Sequence, residues 1–130
     1  MKTMDIQQTV EFAATPHEVY ETLMDTRRHT TATQAAAAIS RKVGGKIRAY
    51  DGYIQGTNIE LVPDEKIVQS WRASDWPEGI YSQVTFQLEK TVNGTRLTFT
   101  QTGVPEDEYE SIDEGWKEHY WKKMRRMLEP

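Results

Sequence analysis

The chain has 130 residues, of which 28% are charged and 37% hydrophobic, and its formal net charge is −4. This size and composition are typical of a single globular domain over residues 1–130. The acidic balance does not favour nucleic-acid binding, and the absence of cysteine excludes disulfides, thiolate catalysis and Cys-based metal sites. No segment resembles a signal peptide or a membrane span of about 18 apolar residues, so we expect a cytoplasmic protein.

The first third of the chain predicts one strand followed by one or two short helices. Hydrophobic and polar residues alternate over residues 4–12, which is the period of a strand with one buried face. Thr15-Pro16-His17-Glu18 combines an N-cap residue, a proline at the first helical position and a glutamate three residues after the cap, so it predicts a helix start. Residues 27–35 are rich in threonine, and they predict either a second short helix or an ordered loop.

The middle of the chain predicts antiparallel strands separated by turns. Residues 46–50 and 53–62 flank Asp51-Gly52 and are typical of a hairpin, and residues 65–73 predict a further strand. Two more strands, around residues 82–88 and 97–99, flank Asn93-Gly94, which predicts a type I′ turn. Together with the first strand, the chain predicts six to seven antiparallel strands.

The last segment predicts a long amphipathic helix. Ser111-Ile112-Asp113-Glu114 has the pattern of a capping box. One apolar residue recurs every four positions, which fits one helical face. These residues are Ile112, Trp116, Tyr120, Met124 and Leu128. The order of elements therefore predicts an α+β domain whose helices pack against an antiparallel sheet.

Several tryptophan motifs connect this pattern to a known family. The chain contains Trp71-Arg72, Trp76-Pro77-Glu78-Gly79, Gly103-Val104-Pro105 and Gly115-Trp116, in that order. Their order and spacing resemble the Hsp90 ATPase activator homologue family over essentially the whole chain. The resemblance implies the START-like (Bet v 1-like) helix-grip fold, in which a curved antiparallel sheet grips a long C-terminal helix over a cavity, with two short helices after the first strand.

The same resemblance implies a co-chaperone or stress-response role as one functional hypothesis. The eukaryotic co-chaperone of this family carries such a domain at its C-terminal end, while a separate N-terminal domain makes its main contact with Hsp90. We interpret the present chain as the START-like domain alone. An Hsp90-type chaperone is therefore one expected partner, and a small hydrophobic or amphipathic molecule is the other.

The sequence assigns no catalytic residue, metal or cofactor. His17, His29 and His119 lack the spacing of a metal site, and the chain has no nucleophile elbow or phosphate-binding loop. Some START-like proteins are enzymes, and for a cyclase or hydrolase-like reaction the candidate proton carriers are Tyr53, Glu118, His119 and Tyr120. A non-enzymatic binding module is the favoured interpretation.

We predict that the ligand site lies between the sheet and the last helix. Its expected residues are Gln69, Trp71, Phe86, Phe99, Gln101, Trp116 and Tyr120. The alternative is that the aromatic members simply fill the core. The two glutamines fit a wet pocket because a buried amide needs a partner, or else they lie at solvent-exposed strand ends.

Trp76 and Pro77 form a second candidate site. A Trp-Pro pair in the loop after a strand anchors that loop, covers one mouth of the cavity or presents a surface to a protein partner. We therefore assign these two residues to partner binding as a hypothesis separate from the ligand site.

Overall fold

The computed structural model describes all 130 residues. Strand β1 (Thr3–Phe12) is followed by helix α1 (Pro16–Met24) and helix α2 (Thr26–Thr33). The predicted capping box at the start of α1 is confirmed, because Thr15 and Glu18 bond to each other's backbone N–H groups. Helix α2 begins with Asp25 accepting from the N–H of Arg28. The threonine-rich segment is therefore a helix rather than an ordered loop.

One antiparallel sheet of seven strands forms the body of the molecule. Its strands lie in the order β1-β7-β6-β5-β4-β3-β2. The remaining strands are β2 (Ala38–Ile39), β3 (Lys46–Ala49), β4 (Ile54–Val62), β5 (Lys66–Ala73), β6 (Ser82–Thr91) and β7 (Gly94–Pro105). Alternate residues of the central strands are buried on one face, where the C-terminal helix and α1 pack. The predicted α+β helix-grip architecture is confirmed.

The C-terminal helix runs in three segments: helix α3 (Tyr109–Trp116), a π-helical segment (Lys117–Trp121) and helix α4 (Lys122–Leu128). In a regular α-helix, residues four apart are rotated by about 40° from one another, so a stripe of that spacing turns away from its partner surface. The π segment adds one residue to a turn, as the bond from the Lys122 N–H to the Lys117 carbonyl shows. Both Tyr120 and Trp121 are consequently buried.

The helix start at Ser111 was predicted wrongly. A short 3₁₀ turn (Glu106–Glu108) leads directly into α3 at Tyr109, and no side chain caps the helix N-terminus. The capping-box pattern therefore falls inside the helix. Ser111 is exposed there rather than bonded to the backbone as a cap.

The prediction of a type I′ turn at Asn93-Gly94 is also wrong, although the predicted hairpin is present. Thr91 pairs with Gly94, so the two turn residues are Val92 and Asn93, and neither has the positive φ that a type I′ turn requires. Gly94 serves a different purpose. A Cβ at this position would lie 2.1 Å from the Phe12 carbonyl oxygen, so glycine permits close approach of the chain after β1.

None of the helices combines the length and the apolar character needed to span a bilayer.

We expect Gly94→Ala to lower the free energy of unfolding by about 2 kcal/mol or more, because the new methyl group would meet backbone atoms that cannot move aside. Gly44→Ala is the control, since Gly44 also has positive φ but has nothing within 4 Å of its would-be Cβ. Urea denaturation of both variants measures the difference. Equal losses would show that backbone conformation, and not the contact with Phe12, sets the cost.

Candidate functional site

Trp116 lies at the centre of an aromatic cluster between the C-terminal helix and the sheet. Its ring centroid is 4.3 Å from that of Phe99, 4.7 Å from that of Tyr120 and 5.6 Å from that of Trp71. Phe86 packs against Trp116 at 5.9 Å in an edge-on arrangement. Such pairs contribute about 0.5–1.5 kcal/mol each beyond their buried area. The five rings therefore hold the helix to the sheet.

The two glutamines predicted to face a wet pocket are buried and bonded to protein groups. Gln101 accepts from the Trp116 indole N–H at 2.8 Å, and its amide donates to the Ser82 hydroxyl at 2.9 Å. The Gln69 amide donates to the Asn58 side-chain oxygen at 3.0 Å. Both amides are thus bonded to side chains within the core, and neither lies at an exposed strand end.

Little space is left between the sheet and the C-terminal helix. An inner void of about 20 Å³ lies there, bordered by Gln69, Trp71, Phe86, Trp116 and Tyr120 among others. This volume accommodates about one water molecule. It is far below the roughly 300–1,000 Å³ of a typical small-molecule site.

A larger cavity opens at the side of the helix, and we call it the Tyr50 cleft. Its volume is about 620 Å³. One wall is the connection between β3 and β4, and the other is the middle of the C-terminal helix. The lining residues are Tyr50, Tyr53, Ile54, Trp71, Ser111, Ile112, Glu114, Gly115, Trp116, Glu118, His119 and Tyr120. Ile54, Trp71, Trp116 and Tyr120 also border the inner void, so they form the floor between the two spaces.

The wall formed by Tyr50 has a strained backbone. Tyr50, Asp51 and Gly52 have φ values of 50°, 59° and 90°, all in the left-handed region. For a bulky residue such as tyrosine this conformation costs about 1–2 kcal/mol. The Tyr50 hydroxyl donates to the His119 carbonyl in the π segment, and its ring lies edge-on to Tyr120 at 5.8 Å. These contacts fix the turn against the helix, and burial raises the pKa of Tyr50 to about 12.

Tyr53 forms the outer part of the same wall beside a group of carboxylates. Its hydroxyl donates to Asp75 at 3.0 Å. Burial, the bond to Asp75 and repulsion from the charges of Asp75 and Glu108 together raise the pKa of Tyr53 to about 12. The pKa of Glu108 is raised as well, first by burial and then by its neighbours Asp75 and Asp107. This end of the cleft therefore lies next to negatively charged groups.

Gly115 leaves the opposite wall open. Apart from the adjacent residues and the helix's own backbone, the atom nearest to a Cβ at this position would be Cδ2 of His119, at 3.9 Å. The residue lies inside helix α3, where glycine costs about 1 kcal/mol relative to alanine. Packing against neighbouring side chains thus does not require glycine at this position.

A buried histidine–tyrosine pair lies behind the floor of the cleft. His29 Nδ1 donates to the Leu23 carbonyl at 3.1 Å, so its Nε2 accepts from the Tyr120 hydroxyl at 3.0 Å. Burial lowers the pKa of His29 and raises that of Tyr120. The pair joins α2 to the π segment. The other enzyme candidates, Tyr53, Glu118 and His119, line the cleft on its outer side.

The Trp76-Pro77 loop is held against the protein. Trp76 is buried and packs edge-on against Trp71 at 5.5 Å. Arg72 donates to the Trp76 carbonyl at 2.6 Å and to the Pro77 carbonyl at 3.3 Å. The indole of Trp76 is thus an anchor facing inward, and within the pair Pro77 is exposed.

The residues predicted for the ligand site divide between the two spaces. Trp71, Trp116 and Tyr120 reach the Tyr50 cleft, while Gln69 and Phe86 border only the inner void. Phe99 and Gln101 border neither space. Sequence reasoning missed Tyr50, whose only signal is the Asp51-Gly52 turn that follows it, and it placed Ser111 at a helix cap.

The sheet order, the two short helices and the long C-terminal helix define a START-like helix-grip domain. Within this class, the chain belongs to the family described as Activator of Hsp90 ATPase homolog 1-like protein, because residues 13–129 match the model of that family.

Three similar proteins illustrate the relationship. The chain is 39% identical over 119 residues to an Activator of 90 kDa heat shock protein ATPase homolog from Dictyostelium discoideum, covering 89% of this chain and 30% of that protein. It is 30% identical to the human homolog 1, covering 88% and 34%. The chain thus spans about a third of these relatives. A crystal structure of an HSP90 activator from Plasmodium falciparum superimposes with a TM-score of 0.88 at 27% identity, covering 96% of each chain.

We expect Trp116→Ala to lower the free energy of unfolding by about 3–5 kcal/mol, because it removes the central ring of the cluster. Trp116→Phe should cost about 1–3 kcal/mol, since it keeps a ring but leaves the buried oxygen of Gln101 without its donor. Urea denaturation measures both. A loss of under 1 kcal/mol for Trp116→Ala would contradict a central structural role for this residue.

We expect His29 to contribute to acid sensitivity. Its pKa is lowered in the folded protein, so below about pH 6.5 the unfolded chain binds the proton more readily and stability falls with decreasing pH. In His29→Gln this contribution disappears, although the variant is less stable overall. Urea denaturation at pH 7.5 and 5.5 should therefore show a smaller loss on acidification for His29→Gln than for the wild type. Equal losses would mean that carboxylates alone set the acid sensitivity.

Proposed function

We propose that this chain acts as an accessory domain for an Hsp90-type chaperone, binding it and changing the rate of its ATPase. The observation that carries this proposal is the family match over residues 13–129, together with relatives that are themselves called activators of the Hsp90 ATPase. The filled space between sheet and helix is compatible with a protein-binding role, because such a role needs surface rather than an internal cavity.

The test is a steady-state ATPase assay of a purified Hsp90-type chaperone titrated with this chain. We expect a saturable change in the ATPase rate. Only the part of the rate that is abolished by an inhibitor of the chaperone's ATP site is attributed to the chaperone. Calorimetry on the same pair gives the affinity. A rate that is unaltered at saturating concentrations, with no heat of binding, would reject the proposal.

We propose a second function, the binding of a small amphipathic molecule in the Tyr50 cleft. The specific observation in its favour is Gly115, which costs helix stability, meets no packing need and keeps the wall of a cleft of about 620 Å³ open. The cleft has the size of a typical small-molecule site and is lined by aromatic and aliphatic side chains with a few polar groups. We therefore expect the ligand beside the helix rather than beneath it.

Gly115→Leu tests this second function, because its side chain would project into the cleft. Gly115→Ala is the matched control and should raise the free energy of unfolding by about 1 kcal/mol through helix propensity. We expect a thermal-shift screen of small amphipathic compounds to give concentration-dependent stabilisation of the wild type. Gly115→Leu should abolish that response while remaining folded. An undiminished response in Gly115→Leu would place the ligand outside the cleft.

The same variant separates the two functions. Gly115→Leu changes only the cleft, so the chaperone assay should give the wild-type result with it. Loss of the ATPase effect in this variant would show that the chaperone itself occupies the cleft.

A further inference from the structure

The Tyr50 cleft has two carboxylates on its helical wall and a third beside its opposite wall. Glu114 and Glu118 lie one helical turn apart on the C-terminal helix. Across the cleft, Tyr53 is bonded to Asp75. The lining residues include no lysine or arginine. A ligand that enters the cleft therefore meets carboxylates at the rim and uncharged rings at the floor.

Nearby basic side chains neutralise this charge only in part. Lys122 lies 3.5 Å from Glu118, but both side chains are more than half exposed, so the pair is weak. Lys117 pairs with Asp113 instead. Glu114 has no lysine, arginine or histidine nitrogen within 4.0 Å of its carboxylate. At least one carboxylate of the cleft is thus free to meet a positive group.

Charges of both signs lie near the wall formed by Tyr50 and Tyr53. The Lys123 ammonium lies 5.9 Å from the centroid of the Tyr50 ring and donates to the Thr33 carbonyl, so this part of the wall already has a cation. The negative charges of Asp75 and Glu108 contribute, after burial, to the raised pKa of Tyr53, because they disfavour a phenolate. The same charges favour a cation near Tyr53.

We propose that the Tyr50 cleft selects amphipathic cations, meaning small molecules with an aromatic or aliphatic body and an ammonium group. This inference rests on the second proposed function. The apolar body would contact Trp71 in the floor and Ile112 in the helical wall, and the ammonium group would lie by Glu114 and Glu118. Neutral molecules of the same shape bind less tightly because they gain only the apolar contacts, and anions are repelled.

Three probes with one shared ring test the charge preference: benzyltrimethylammonium, benzyl alcohol and benzenesulfonate. Two-dimensional amide NMR titrations give the affinity of each and show whether Ser111, Gly115 and His119 respond. We expect the cation to bind at least about fivefold more tightly than the alcohol at low salt, the order expected of exposed charge and cation–π contacts. The preference should shrink in 0.5 M NaCl through screening.

Charge-removing variants complete the test. Glu114→Gln combined with Glu118→Gln should bring the affinity for the cation close to that for benzyl alcohol and leave the affinity for the alcohol unchanged. Glu110→Gln, an exposed change on the same helix outside the cleft, is the control and should keep the preference. Equal binding of the three probes by the wild type would overturn the cation preference while sustaining the cleft as a ligand site. A lack of response at the cleft to every probe would overturn both.

Discussion

The buried hydrogen bond of Trp116 constrains how the C-terminal helix sits on the sheet. The indole N–H of Trp116 bonds to Gln101 on β7, whose amide bonds to Ser82 on β6, whose hydroxyl donates to the carbonyl of Trp71 on β5 at 2.8 Å. One helical side chain is thus connected through buried polar groups to three neighbouring strands. Ring packing alone would tolerate small rotations of the helix, but a buried N–H that must keep its acceptor does not.

This constraint explains why the interior is closed. With Trp116 held against the sheet, the π segment turns both Tyr120 and Trp121 inward, and the rings fill the space beneath the helix down to a void of about 20 Å³. The cavity of about 620 Å³ that adjoins this closed interior lies where the helix surface meets the strained turn at Tyr50. The chain therefore has the helix-grip architecture, and its accessible cavity lies at the side of the helix rather than beneath it.

The sequence predicted the fold well because its signals are local and agree with each other. The alternation in β1, the Thr15–Glu18 capping box and the four-residue stripe of the last helix each report the element that contains them. The cleft could not be predicted in the same way. It depends on the φ of Tyr50 and on the extra residue in the π segment, and both are set by tertiary contacts. The hydrogen-bond partners of Gln69 and Gln101 could not be predicted for a similar reason, because an amide on an apolar strand face does not reveal whether water or another side chain satisfies it.

Three departures from ideal local geometry converge on the cleft. Tyr50 has a left-handed backbone, Gly115 lies inside a helix, and residues 117–121 form a π segment that contributes Glu118, His119 and Tyr120 to the lining. Each departure costs conformational free energy. Trp121 accounts for part of the π segment through burial, but the core gains nothing from a glycine at 115. Natural sequences keep such local conflicts mainly where function requires them. These three departures are the reason for proposing the cleft between Tyr50 and Gly115, and not the interior beneath the helix, as the small-molecule site.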